Sequence, residues 1–134
     1  MRLINFLSVL ALIQYAIFGL LVGRARNKYG VKAPAVTGNE SFERYYRVQM
    51  NTLELLVLLL PGAWLSAQYR SHGEVSLLLG IYLLGRGIYF YSYAIQQGSR
   101  KLGFAMSYVP AIMLVIGALV GSGRELLLNG WIGK

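Results

Sequence analysis

The chain has no cysteine and a single histidine, His72, among its 134 residues. Without a thiol there is no disulfide, no thiolate-bound metal and no protein sulfur nucleophile, so any sulfur chemistry must arrive with a ligand. His72 falls on a short connection beside Arg70 and Glu74, with no second ligand nearby, and no metal site is expected. Acidic residues are also scarce, five against thirteen lysines and arginines. The first apolar segment offers only Asn5 and Gln14 in place of an intramembrane carboxylate, which excludes a small ion-coupled multidrug exporter. No internal repeat or low-complexity tract divides the chain.

What is abundant is apolar. Hydrophobic residues make up 56% of the chain and the mean hydropathy is +0.51, against roughly 45–50% apolar content in soluble domains. A helix of about 20 residues spans the roughly 30 Å hydrocarbon layer, and four segments suit that length: residues 3–22, 53–67, 75–95 and 102–120. The second is short alone. It lengthens to 40–69 if residues 40–52 form an exposed extension, as Thr37 and Glu40 at capping-box spacing suggest. The expected fold is therefore all-α, a single domain over 1–134 built as a bundle of four transmembrane helices. A cleaved signal is not expected, because the first run exceeds the usual 7–15 residues and ends in Gly23-Arg24-Ala25-Arg26. Gly19 with Gly23, and Gly117 with Gly121, have the spacing that permits close helix approach. Pro61 and Pro110 fall inside helices two and four.

The net charge of +8 would suggest nucleic-acid binding in a soluble protein. Its distribution points to membrane orientation instead. Arg24, Arg26, Lys28, Lys32, Arg44 and Arg47 flank the first connection, and Arg100 and Lys101 sit in the third. The other side has Arg2, Arg70, Arg124 and Lys134. The positive-inside rule then places connections one and three in the cytoplasm and both termini opposite. The first connection, residues 24–38, reads as a mobile basic cover.

Two helices carry polar stripes. At about 100° per residue, Arg47, Asn51 and Glu54 fall within roughly 60° of one another. Gln49 points roughly 160° away from Asn51, so one ligand touches both only if a second subunit supplies Gln49. On the third helix Tyr82, Arg86, Tyr89 and Tyr93 recur at spacings of four, three and four. Arg86 lies deep, where an unpaired arginine costs about 2.5–3.5 kcal/mol. Glu54 is its expected partner, in a structural ion pair or as part of a site.

The stretch PAVTGNESFERYYRVQMNTLE resembles the signature of the membrane-associated proteins in eicosanoid and glutathione metabolism, of the form E-R-x-x-R-x-Q-x-N-x-x-E, and GRGIYFYSYAIQQGSRKLGF is similar to that family's third helix and following loop. The resemblance implies a homotrimer with glutathione between adjacent subunits. Arg47, Asn51, Glu54, Tyr89 and Tyr93 of one subunit would bind the tripeptide, Arg26 and Gln49 would come from its neighbour, and Arg100 would stand by the sulfur. It implies a glutathione transferase acting on hydrophobic electrophiles, with peroxidase activity toward lipid hydroperoxides as a further capacity. The alternative it leaves is a non-catalytic, lipid-presenting member of the same fold. Asn27 and Leu55 depart from the leukotriene synthase branch, which has arginine and tyrosine there, and this argues against a leukotriene-type substrate.

Overall fold

The computed structural model describes residues 1–131. Among them there are four long helices and no strand: α1 (Arg2–Tyr29), α2 (Glu40–Ser66), α3 (His72–Tyr89) and α4 (Lys101–Asn129). α3 continues into a π-helical turn, Phe90–Ile95. Each of the four is long and apolar enough to cross a membrane. α4 packs on α2 and α3, and α1 packs on α2 and α3. Ile4, Leu55, Leu59, Val75, Leu79 and Leu114 are buried where the four meet. Large apolar side chains also point outward, among them Leu20, Leu84, Leu119 and Leu127. A bundle in water would bury such residues; lipid or another subunit has no reason to exclude them.

The helix ends differ from those expected from hydropathy. α1 does not stop at Val22 but carries Arg24, Arg26 and Lys28 within it as far as Tyr29. An apolar run marks the membrane thickness, whereas Arg, Ala and Lys propagate a helix equally well beyond it. Arg26 and Lys28 in the last turn face the negative end of the helix dipole, and Gly30, at φ 70°, closes the helix by donating its N–H to the Arg26 carbonyl. The first connection thereby shrinks to residues 30–39. Two contacts tie it to the bundle: Arg26 Nη1 donates to the Ala35 carbonyl at 2.6 Å, and Val31 is buried with Val22, Ala25 and Phe42. The cap of α2 is Asn39 and not Thr37, because Asn39 Oδ1 accepts the Phe42 N–H at 3.0 Å. α2 and α4 both run on through their prolines.

Glycines set the helix spacing, though not all at the places the sequence suggests. A Cβ on Gly121 would sit 2.3 Å from the Tyr69 ring and one on Gly117 2.8 Å from Arg70 Cδ, whereas Gly23 has nothing within 4 Å. The closest approach to another backbone is between α3 and α4: a Cβ on Gly103 would stand 2.4 Å from Tyr89 Cα, and one on Gly85 2.7 Å from the Met106 backbone. Backbone cannot yield as a flexible side chain can. Gly103→Ala is therefore expected to cost about 1–3 kcal/mol and lower the midpoint of thermal unfolding in detergent. Gly23→Ala should leave it level or slightly raised. Equal midpoints for the two variants would contradict this packing.

Candidate functional site

The deepest polar group is the Arg86 guanidinium, which is fully buried. Its Nη1 donates to Asn51 Oδ1 at 2.8 Å and to Thr52 Oγ1 at 3.2 Å, and its Nε donates to Ser107 Oγ at 3.0 Å. Both hydroxyls are free to accept because each gives its own proton to a helix carbonyl, Thr52 to Val48 and Ser107 to Gly103. The Tyr89 ring lies beneath the guanidinium carbon, 4.2 Å from centroid to Cζ. Hydrogen bonds to a charged group contribute about 1.5–3 kcal/mol each, and a desolvated cation over an aromatic face adds about 2 kcal/mol. Together these exceed the insertion cost of an arginine at this depth. The anchor is neutral acceptors, not a carboxylate.

The expected Glu54–Arg86 pair is therefore not formed. Around α2, Asn51 and Thr52 bracket the direction of Arg86, and Glu54 lies roughly 60° beyond Asn51 on the far side. Glu54 is exposed. Nη2 of Arg86 and the hydroxyls of Tyr82 and Tyr89 find no protein hydrogen-bond partner among the described residues.

Above this anchor, at the end of the bundle that carries the first and third connections, a cleft of about 440 Å³ opens between the start of α2 and the π-turn. Arg47, Arg44, Glu40, Glu43, Tyr46 and Tyr93 line it. Its size falls within the roughly 300–1,000 Å³ of small-ligand sites, and its mixed charge suits a zwitterion. The Tyr93 ring is approached by two cations, with Arg44 Cζ 4.8 Å and Arg100 Cζ 5.7 Å from its centroid. Tyr93 in turn rests on Tyr89, 5.6 Å between centroids. A continuous path of contacts thus runs from buried Arg86 through Tyr89 and Tyr93 to exposed Arg100. Arg100 stands at the N-terminal boundary of α4, where the positive end of a 29-residue helix adds to its charge.

Of the residues singled out in the sequence, Arg47 and Tyr93 share the cleft wall, Arg100 does not line it but touches it through the Tyr93 ring, and Asn51, Tyr89 and Arg86 lie in the layer below. Glu54 lies on an exposed face of α2 one turn past Asn51. Arg26 and Gln49 lie elsewhere. Arg26 is stacked on Phe42 at 4.8 Å, and Gln49 Nε2 is close against Gly19 of α1. Sequence reasoning missed Thr52, Ser107 and Arg44. Thr52 and Ser107 give no signal alone, since hydroxyl residues in membrane helices usually satisfy themselves on their own backbone. Arg44 was legible as the first arginine of the E-R-x-x-R signature and as a loop-flanking charge, but with no role attached to it. No cluster of three His, Cys, Asp or Glu side chains converges among the described residues.

The neutral anchor makes a prediction that separates it from an ion pair. Asn51→Leu, which keeps the branched shape and removes an acceptor from a buried cation, is expected to destabilise the protein by about 1–3 kcal/mol in reversible unfolding from mixed micelles. Glu54→Gln is expected to change it by less than about 0.5 kcal/mol. The reverse ranking would restore the carboxylate as the partner of Arg86.

Comparison with known proteins agrees with this architecture. The family model described as the MAPEG family matches residues 4–120. The chain is 36% identical to microsomal glutathione S-transferase 2 of Homo sapiens over 113 residues, 84% of this chain and 77% of that protein. It is 37% identical to leukotriene C4 synthase of Cavia porcellus over 104 residues, covering 78% of this chain and 67% of that protein. An uncharacterized protein of Synechocystis is 46% identical over 114 residues, 85% of this chain and 83% of the relative. With the match spanning all but the ends of the chain, and with four helices suited to the bilayer, this is a multi-pass membrane protein that belongs to the MAPEG family.

Proposed function

We propose that the protein is a glutathione transferase that joins the glutathione sulfur to lipophilic electrophiles delivered from the membrane. The observation that carries this reading is the cleft lined by Arg47 and Tyr93, with Arg100 against the Tyr93 ring, in a family whose members include glutathione S-transferases. Glutathione has two carboxylates, one ammonium and two amides. Arg47 suits a carboxylate and Asn51 an amide through the NH2 left free once its oxygen is held by Arg86, while Glu54, which does not line this cleft, would take the ammonium of a glutathione that reaches along the exposed face of α2. Tyr93 supplies a hydroxyl and a ring face at the cleft wall, and Tyr89, buried beneath it, supports that ring. Arg26 and Gln49 lie away from this cleft within the subunit, and in the proposed homotrimer they reach the glutathione of a neighbour. The outward apolar faces of the four helices are what such a trimer and its lipid would cover.

The chemistry needs a thiolate. A free thiol of pKa about 8.5 is only a few per cent ionised at neutrality, and lowering it by two units takes about 2.7 kcal/mol of preferential stabilisation. Arginine keeps its charge at any working pH. Arg100 at the N-terminus of α4 therefore offers two positive contributions at one point. The thiolate attacks the electrophilic carbon, the C–S bond forms, and the leaving group departs with the bond electrons. Toward a lipid hydroperoxide, two glutathiones give the disulfide, the alcohol and water. Connections one and three lie in the cytoplasm in this reading, on the basic side of the bundle.

Protein purified in detergent is expected to bind glutathione by calorimetry and to conjugate it to an activated aryl chloride. Arg100→Ala should lower kcat by about 30-fold, about 2 kcal/mol of transition-state stabilisation, and change the dissociation constant less than about threefold. Arg47→Ala should instead weaken glutathione binding by about tenfold, the loss of one charge-assisted hydrogen bond. Binding without turnover in the parent protein would favour the lipid-presenting alternative, and no binding would remove glutathione from the account.

A further inference from the structure

The short segment between Tyr89 and Arg100 holds two uncommon backbone features. Phe90–Ile95 is a π-helical turn, a conformation rare in proteins and concentrated at functional sites. Two residues on, Gln97 adopts φ 54°, a left-handed conformation that a residue with a side chain enters at a cost and holds only when its surroundings impose it. The hydrogen bonds widen accordingly: Gln96 donates to the Tyr91 carbonyl at 2.9 Å and Gly98 to the Ser92 carbonyl at 2.8 Å. The chain then leaves the helix axis, and the Tyr93 carbonyl is left over at the helix end.

Arg44 takes it. Its Nη1 donates to the Tyr93 carbonyl at 3.2 Å, while its guanidinium stacks on the Tyr93 ring. Its Nη2 is held by Glu40 at 3.3 Å. Three residues earlier on the same face of α2, Ser41 Oγ accepts from Gln97 Nε2 at 2.8 Å. Both unusual features are thus gripped from the first turns of α2, and both lie between the side chains that the proposed chemistry uses. We infer that Arg44 is a positioning residue whose grip on the Tyr93 carbonyl and ring imposes the π-turn and so sets Tyr93 in the cleft wall with Arg100 against its ring.

The inference rests on the transferase reading for its catalytic consequence but not for the clamp itself. A planar fork is required, because one group must reach a carbonyl and lie flat on a ring together; an ammonium does only one of these. Released, the segment after Tyr89 is free to continue with ordinary α-helical hydrogen bonding. That would turn Tyr93 out of its place and start α4 from a different point, and small misplacements of reacting groups are costly in rate.

The test compares the parent with Arg44→Ala, Arg44→Lys and the milder Gln97→Ala by amide hydrogen exchange and by steady-state kinetics in detergent. For Arg44→Ala and Arg44→Lys alike, exchange is expected to accelerate in residues 90–99 and not in α1. Under the same conditions kcat should fall by about 10–100-fold, with the KM for glutathione rising less than about fivefold. Gln97→Ala should give the same local pattern in weaker form, which keeps the test open if the arginine variants fold poorly. Faster exchange confined to residues 90–99 in a protein that never turns over would retain the clamp and reject the transferase reading. Three results would overturn the clamp. One is unchanged exchange in that segment. Another is acceleration spread over all four helices. The third is a loss of glutathione affinity at constant kcat that lysine restores, which would make Arg44 a direct ligand to a carboxylate.

Discussion

One guanidinium ties the bundle together. Arg86 is buried on α3 yet bonded to α2 through Asn51 and Thr52 and to α4 through Ser107, so the rotation and depth of three helices are specified at a single point. In an apolar medium, packing alone discriminates poorly between neighbouring registers, because lipid tails are as apolar as leucine. A buried cation discriminates strongly, since a slipped register would leave it without acceptors. Glycine completes the constraint. With Gly103 and Gly85 at the crossing, α4 comes close enough to α3 for Ser107 to reach the guanidinium.

The cleft is built on that foundation. Arg86 orients the Asn51 amide by holding its oxygen, and its charge lies on the face of Tyr89. Tyr89 supports Tyr93, and Tyr93 lies between Arg44 and Arg100. Burial therefore decreases outward, from a buried anchor to an exposed arginine at the head of α4. In the proposed chemistry this gradient is useful. There the tripeptide would be held by the more buried groups, and the sulfur would meet the exposed Arg100.

Much of this was readable in advance, and the reasons for the rest are specific. Four membrane-length helices follow from hydropathy, and the stripes Arg47–Asn51 and Arg86–Tyr89–Tyr93 follow from helical period, because both depend only on residues near in sequence. The helix ends were less legible. α1 outruns its apolar stretch because membrane thickness does not terminate a helix, and Asn39 takes the cap from Thr37 because the chain geometry before Glu40 decides which side chain reaches the free N–H groups. The partner of Arg86 was misjudged for a different reason. Charge matching favoured Glu54, but partner choice in a buried site is made by direction, and Asn51, Thr52 and Ser107 point there while Glu54 does not. The π-turn and the role of Arg44 come from contacts between segments about fifty positions apart in the sequence, which no local pattern encodes.

The proposed chemistry depends most on a cation that would keep the glutathione sulfur ionised at the membrane surface. Ultraviolet difference absorbance of the glutathione thiolate, recorded at neutral pH as the tripeptide saturates the detergent-solubilised parent protein, measures this directly. The account predicts a thiolate band in the parent that is largely lost in Arg100→Ala at saturating glutathione. Saturation of the parent without any thiolate band would contradict it.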